Sequence, residues 1–351
     1  MANASPHPVQ KMEGEVKKIF LTGSAGFIGF HVAKLLLDEG YIVHGYDSMN
    51  AYYDVALKEA RAKMLCDYAS YSHTKADLED QDQISQIVTE LQPDVIIHLA
   101  AQAGVRYSIE NPRAYVNSNL VGTFNVMEAA RAAEVAHLLM ASTSSVYGNN
   151  DQLPFNENEK ADSQLTLYAA TKKANENMAH AYSNIYNLPI TMLRFFTVYG
   201  PWGRPDLALF KFVKAIISGE TIDVYNEGKM YRDFTYVSDV AEAIHRLMLL
   251  APDDVSDQIC DTEIKNNSIV PFRVVNIGNS EKILLMDFIA EIEAALGKKA
   301  VKRMLPMQLG DVPATLADTS LLKRLTGFEP NTDYQSGIRE FVEWYVDYYE
   351  K

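Results

Sequence analysis

Residues 17–29 read KKIFLTGSAGFIG. The run Ile19-Phe20-Leu21 is too apolar for a half-exposed strand. Glycines at 23, 26 and 29 follow at once, then the helical pattern GFHVAKLLLDEG over 29–40. Strand, glycine turn and helix in that order make an anion-binding device. Glycine permits positive φ and close backbone approach, and the first helical turn offers free N–H groups and the positive end of its dipole. The spacing is G-x-x-G-x-x-G, not the commoner G-x-G-x-x-G of dinucleotide loops. It predicts that Gly23, Gly26, Phe27, Ile28 and Gly29 cradle a pyrophosphate.

The next apolar run, YIVHGYD (41–47), ends at Asp47, 21 residues after Gly26. An acidic side chain there reaches both hydroxyls of an adenosine ribose and repels an extra phosphate, which favours NAD over NADP; the alternative is a strand-end turn aspartate. Asp77 and Leu78 follow a third short strand and are placed to border the adenine, again with a turn residue as the alternative. Further apolar runs, DVIIHLAA (94–101), AHLLMAS (136–142) and PITMLRFF (189–196), alternate with helical patterns over 82–92, 115–133 and 165–187. That alternation predicts an α/β fold with a doubly wound parallel sheet. After about residue 200 the pattern loosens, through PWGRPD, NEGKMYRD and a polar stretch over 252–269, and a second, smaller lobe is expected.

The bulk properties bound the function. Of 351 residues, 48% are hydrophobic and 22% charged, as in ordinary globular proteins. A net charge of −14 argues against general binding to nucleic acid or an anionic membrane, though not against an anionic small molecule met by local cations. Cys66 and Cys260 make neither a disulfide framework nor a metal cluster, and no His/Cys/Asp spacing suggests a metal. No apolar run approaches membrane-spanning length and no leader is recognisable at the N-terminus, so a cytoplasmic protein is expected. Residues 1–16 read as a flexible extension.

LYAATKKANE (167–176) places Tyr168 and Lys172 one turn apart on a predicted helix. An ammonium beside a phenol favours the ionised phenol, lowering a pKa of about 10 and allowing proton exchange near neutrality. The spacing alone decides nothing, because it recurs at Tyr71/Lys75, where Lys75 leads into a strand, and at Tyr225/Lys229, before a glycine turn.

The motifs TGSAGFIG, HLAAQAGV (98–105), STSSVYG (142–148), YAATK (168–172), RFFTVYGP (194–201), RDFTYVSD (232–239) and GDVPATLAD (310–318), in this order, resemble the extended short-chain dehydrogenase/reductase family over residues 17–345. Within it, DSMNAYYDVALKEAR and VYGPWGRPDLALF look like UDP-glucuronate 4-epimerases, also called capsular polysaccharide or nucleotide-sugar epimerases. The resemblance implies a Rossmann-like NAD-binding domain over 17–200 plus 232–278, and a UDP-sugar lobe over 201–231 plus 279–351. It implies that Tyr168 is the acid/base, that Lys172 holds the nicotinamide ribose and lowers the tyrosine pKa, and that Thr143, Ser144 and Ser145 bond the reacting C4 oxygen. Leu99, Ala100, Ala101, Gln102 and Ser142 would line the cofactor. His98 would be a packed strand residue; Asn117 and Asn119 are structural or face the cofactor. Thr197 and Arg204 would meet the sugar carboxylate, Arg232 the UDP phosphates and Asp311 the ribose, while Phe210 and Val224 either flank the uracil or pack in the core. The arginine that many hexose epimerases carry just before the GDVP motif is absent from LPMQLGD.

The implied reaction is inversion at C4 of a UDP-sugar, UDP-glucuronate to UDP-galacturonate, through a 4-ketone and with no added reductant. A homodimer joined through helices near 115–133 and 165–187 is the family expectation. The rivals are a UDP-glucuronate decarboxylase, a UDP-hexose or N-acetylhexosamine 4-epimerase, a dehydratase, and an NAD-binding regulator without chemistry. Dehydratases usually carry an Asp-Glu pair where this chain has Ser144-Ser145.

Overall fold

A computed structural model describes residues 17–252, 270–308 and 310–350. The extension expected over 1–16, Cys260 and nearly all of the polar stretch 252–269 lie outside the described residues. The first half alternates as its sequence dictates: β1 (Lys18–Thr22), α1 (Phe27–Asp38), β2 (Ile42–Asp47), α2 (Val55–Cys66), β3 (Tyr71–Lys75), α3 (Gln81–Leu91) and β4 (Val95–His98). Two short helices, α4 (Tyr107–Glu110) and α5 (Pro112–Tyr115), lead through a π-helical turn at Val116–Gly122 into α6 (Thr123–Ala132). Then come β5 (His137–Thr143), α7 (Leu167–Tyr186) and β6 (Ile190–Phe195).

The later chain forms β7 (Thr197–Tyr199), α8 (Ala208–Ser218), β8 (Thr221–Val224), β9 (Tyr231–Arg232), β10 (Phe234–Tyr236), α9 (Val237–Met248) and β11 (Phe272–Ile277). It ends with β12 (Ile283–Leu284), α10 (Leu285–Leu296), β13 (Val301–Met304), α11 (Ser320–Thr326) and α12 (Tyr334–Tyr349).

Seven parallel strands form one sheet in the order β11-β6-β5-β4-β1-β2-β3. β4, β5 and β6 are buried at every residue, as strands covered on both faces must be. Alternate residues serve opposite faces: Ile19 and Leu21 pack with α1 and α9, while Phe20 and Ile96 pack with α3, α6 and α7. The edge strand β3, YSHTK, is short and polar, which suits an unpaired edge. Tyr71 and Lys75 are therefore both within a strand, rather than before one.

A second core joins α8, β8, α10 and α12 through Phe210, Val213, Val224, Phe288 and Phe341. Its own two-stranded sheet pairs β8 with β13. α11 departs from the expected lobe boundary: Leu322 packs into the core of the large sheet, with α9 and β11. The cleft between the two cores opens at the C-terminal ends of β1, β2, β4 and β5, the position where doubly wound sheets bind ligands.

Candidate active site

One cavity of about 990 Å³ runs from the glycine loop to the second core. At one end Gly23 has φ +77, and its N–H donates to Tyr46 O at 2.7 Å. A Cβ on Gly29 would lie 2.0 Å from the Gly23 carbonyl oxygen, so glycine is required for the loop to close on its helix. No side chain caps α1. Its first-turn N–H groups are left for an anion, and the loop fits a pyrophosphate. Asp47 lines the cavity. Its Oδ2 accepts from Ala25 N at 3.1 Å and its Oδ1 from Met49 N at 2.9 Å, so the carboxylate shapes the loop as well as bordering the cavity. Asp77, Leu78, Leu99, Ala100, Ala101, Gln102 and Ser142 also border the cavity.

Asn119 explains how the 99–102 segment is fixed. Its Oδ1 accepts from Gln102 N at 2.8 Å, and its Nδ2 donates to Gln102 O and Thr171 Oγ1, both at 3.1 Å. The π-helical turn inside what the pattern read as one helix aims Asn119 inward. Asn117 is exposed and does not line the cavity. His98 is sealed between Thr22 and Thr123 hydroxyls at 2.7 and 3.0 Å, and burial pushes its pKa down to about 3, so it stays neutral.

Thr166, two residues before Tyr168, caps α7 by accepting from Ala169 N. Tyr168, Lys172, Thr143, Ser144 and Ser145 all face the cavity. The Tyr115 ring meets Tyr168 edge-on at 6.0 Å and limits its position. Lys172 Nζ donates to Ala141 O at 2.9 Å, and burial pulls its pKa down to about 8. Burial raises the Tyr168 phenol; the Thr143 side chain and the Arg204 guanidinium are what oppose that rise. Lys172 is thus held against β5, while Arg204 adds to the field around Tyr168.

Behind the hydroxyl strip lies a buried network that the sequence reading missed. Arg194 makes a bidentate pair with Glu176, both bonds at 2.9 Å, and stacks over the Tyr147 ring at 4.7 Å. Ser142 Oγ donates to Glu176 Oε1 at 2.7 Å, so its hydroxyl serves the network while the residue borders the cavity. α7 therefore grips β5 twice, at Ala141 and Ser142, just before Thr143. The signal was present: Glu176 stands one turn after Lys172, and an arginine within the apolar strand β6 requires a partner.

The other end of the cavity is cationic. Thr197, Arg204, Arg232 and Asp311 line it as expected. Arg204 Nε donates to Asp206 Oδ1 at 2.9 Å, and Nη2 completes a bidentate pair. Arg232 donates to Asp311 at 2.6 Å; burial lowers its pKa and Asp311 opposes the shift. For Phe210 and Val224 the core alternative is the one found. Phe210 is buried against Phe341, Trp344, Tyr345 and Tyr349, and Val224 is fully buried in the same core; neither lines the cavity. α8 turns Lys211 and Phe212 to the cavity instead, and the residue after Val224, Tyr225, takes the wall position. Arg106 stacks over the Tyr225 ring at 5.0 Å, supplying a cation where the GDVP region has none. Tyr52 and Tyr53 line the wall between the two ends. Arg61, fully buried, joins those ends: it donates to Ala25 O in the glycine loop and to Trp202 O beside Arg204.

The family model described as GDP-mannose 4,6 dehydratase matches residues 20–341. A probable UDP-glucuronate 4-epimerase of Rhizobium meliloti (strain 1021) is 51% identical over 338 residues, covering 95% of this chain and 98% of the relative. UDP-glucuronate 4-epimerase 4 of Arabidopsis thaliana is 41% identical, over 94% of this chain and 76% of that protein. Among solved structures, UDP-glucuronic acid 4-epimerase from Bacillus cereus in complex with UDP-glucuronic acid and NAD superposes with a TM-score of 0.84 at 30% identity, covering 95% of this chain and all of that one. A matched model spanning most of the chain, and relatives aligned from end to end, place the glycine loop and the tyrosine helix in one lineage: the chain belongs to the NAD-dependent epimerase/dehydratase family.

Proposed function

We propose that this chain is an NAD-dependent nucleotide-sugar epimerase that inverts C4 of UDP-glucuronate to give UDP-galacturonate. The observation that carries the reading is the single cavity in which Tyr168, the 143–145 hydroxyls and Lys172 lie between a dinucleotide loop and a cationic end. Relatives at 51% and 41% identity bear the UDP-glucuronate 4-epimerase name over nearly the whole chain, which supports the same substrate here.

Bound in this cleft, the dinucleotide supplies the redox chemistry, reversible removal of the C4 hydrogen through a 4-keto sugar. The residues do the rest. Tyr168, as phenolate, takes the C4 hydroxyl proton and later returns it. Thr143, Ser144 and Ser145 hold the C4 oxygen and its neighbours, and Lys172 holds the nicotinamide ribose. Gly23 to Gly29 carry the pyrophosphate and Asp47 the adenosine ribose, with Asp77 and Leu78 beside the adenine. Arg204, with Thr197, restrains the sugar carboxylate, because a 4-ketone β to a carboxylate is prone to lose CO₂. Arg232 and Arg106 hold the UDP phosphates, and Asp311 the uridine ribose. Ser144-Ser145 in place of an acidic pair favours epimerisation over the elimination that the matched family model is named for.

The same reading assigns 17–200 plus 232–278 to the dinucleotide and 201–231 plus 279–351, apart from α11, to the UDP half. It also pairs two copies through the exposed Val121, Phe124, Ile185 and Tyr186 on the helices over 116–132 and 167–186. Among the described residues no helix is long and apolar enough to cross a membrane, and Cys66 is a free, exposed thiol. Both fit a cytoplasmic setting. The test is NMR product analysis after incubation with UDP-glucuronate, UDP-glucose and UDP-N-acetylglucosamine. UDP-galacturonate formation without added reductant is expected; turnover of a neutral sugar alone, or a pentose product, would replace the reading.

A further inference from the structure

Arg204 does not stand alone in the sugar end of the cavity. Nε and Nη2 are committed to the two oxygens of Asp206, while Nη1 has no protein acceptor among the described residues. The pair is anchored from another element, since the Tyr52 hydroxyl, on the loop after β2, donates to Asp206 Oδ2 at 3.3 Å. Side-chain exposures of 21% and 24% leave Arg204 and Asp206 shielded yet in contact with the cavity they line. Lys211, one helix over, also feels both charges. Arg106 bears on Lys211 and Arg204 on Lys58 as well, so cations outnumber Asp206, the one carboxylate that Arg204 holds.

We propose that Asp206, held by Tyr52, is the positioning residue that sets how strongly this site demands a carboxylate on the sugar; the inference rests on the glucuronate reading above. The fork fixes the guanidinium plane, so that Nη1 is the donor left for the ligand. The same fork neutralises most of the charge, so a sugar carboxylate must share Arg204 with Asp206. Asp206 thereby trades affinity for an anionic sugar against orientation of that sugar. With asparagine at 206 the shape is nearly kept and the charge is lost. The Arg204 guanidinium then lacks its counter-ion in a cavity that Lys211 also lines, and a carboxylate on the ligand is the group that satisfies it. A neutral hexose offers nothing equivalent.

The experiment measures dissociation constants of UDP-glucuronate and UDP-glucose on the cofactor-loaded protein, by titration calorimetry, for wild type, Asp206→Asn and Tyr52→Phe. The ratio of the two constants is expected to shift toward UDP-glucuronate by about tenfold in Asp206→Asn, a plausible size for a charge-assisted bond regained. Tyr52→Phe should shift it the same way by about twofold, and it carries the test if Asp206→Asn does not fold. Equal changes in both constants, or a shift toward UDP-glucose, would overturn the role of Asp206. A wild type that binds the two sugars equally would overturn the glucuronate reading and this inference together, whereas a discriminating wild type with an unmoved ratio in both variants removes Asp206 alone.

Discussion

At the strand-end side of the cleft much of the wall is glycine, alanine and short hydroxyls, Gly23, Gly26, Gly29, Ala100, Ala101 and the 143–145 strip, beside Asp47, Tyr168 and Lys172. At the opposite side the wall includes long charged side chains, two of them paired with an acid, Arg204 with Asp206 and Arg232 with Asp311. The first side is set by sheet geometry and tolerates almost no added atom. The second is set by charge balance and is adjustable by single substitutions. A dinucleotide common to many reactions suits the rigid half, and a substrate that must be told from its neutral analogues suits the adjustable one.

Gly29→Ala should break the rigid half most completely. Its Cβ would sit 2.0 Å from the Gly23 carbonyl oxygen, and backbone cannot yield as a side-chain tip can. Purified variant is expected to carry little or no dinucleotide, read by absorbance after denaturation; retention at the wild-type level would show that the loop is not the cradle. Next in size is Tyr168→Phe, which keeps the ring against Tyr115 and removes the proton carrier. A loss of about 10²–10⁴ in kcat with KM little changed is expected. Cofactor content should stay normal, which separates the two variants; equal kcat would end the acid/base assignment.

How legible each half was follows from the same contrast. The glycine loop, Asp47 and the tyrosine helix are local patterns whose neighbours in space are their neighbours in sequence, or lie at the ends of adjacent strands. The later half depends on helix phase and long-range packing. α8 reads ALFKFVKAIIS; Phe210 and Phe212 both join its buried side and the second core, and the sequence does not say that Phe212 alone of the two also borders the cavity. Val224 was readable: it shares the strand face of the buried Ile222, two residues away. Tyr52, Arg106 and Asp206 come together only through tertiary packing, and no spacing announces them. The Tyr168–Lys172 spacing was read correctly as one face of a helix. What the spacing did not announce is the rest of the surroundings: Ala141 O accepts from the ammonium, and the Arg204 charge, distant in sequence, also bears on the phenol.

Two further variants sharpen the contrast on the adjustable half. Arg204→Ala removes the cation proposed to meet the sugar carboxylate and leaves Asp206 without its ion-pair partner. KM for UDP-glucuronate should rise by about 10–100-fold, the range for a lost bond to a charged group. The ratio of decarboxylated to epimerised product should rise as well, measured by NMR; an unaltered partition would remove Arg204 from control of the carboxylate.

Phe210→Leu should do the least to function and is the more telling for it. The ring packs on Phe341 and Tyr345, centroids 6.1 and 5.1 Å away, and does not touch the cavity wall. Truncation to leucine leaves a small void in a packed core and should cost about 1 kcal/mol of stability, seen as a lower unfolding midpoint. KM for the UDP-sugar should stay within about twofold, since α8 is braced along its length by Val213 and Ile216 in the same core. A rise of tenfold or more with an unchanged midpoint would mean that the ring reaches the uracil after all. The boundary drawn between core and cavity along α8 would then have to move by one helical face.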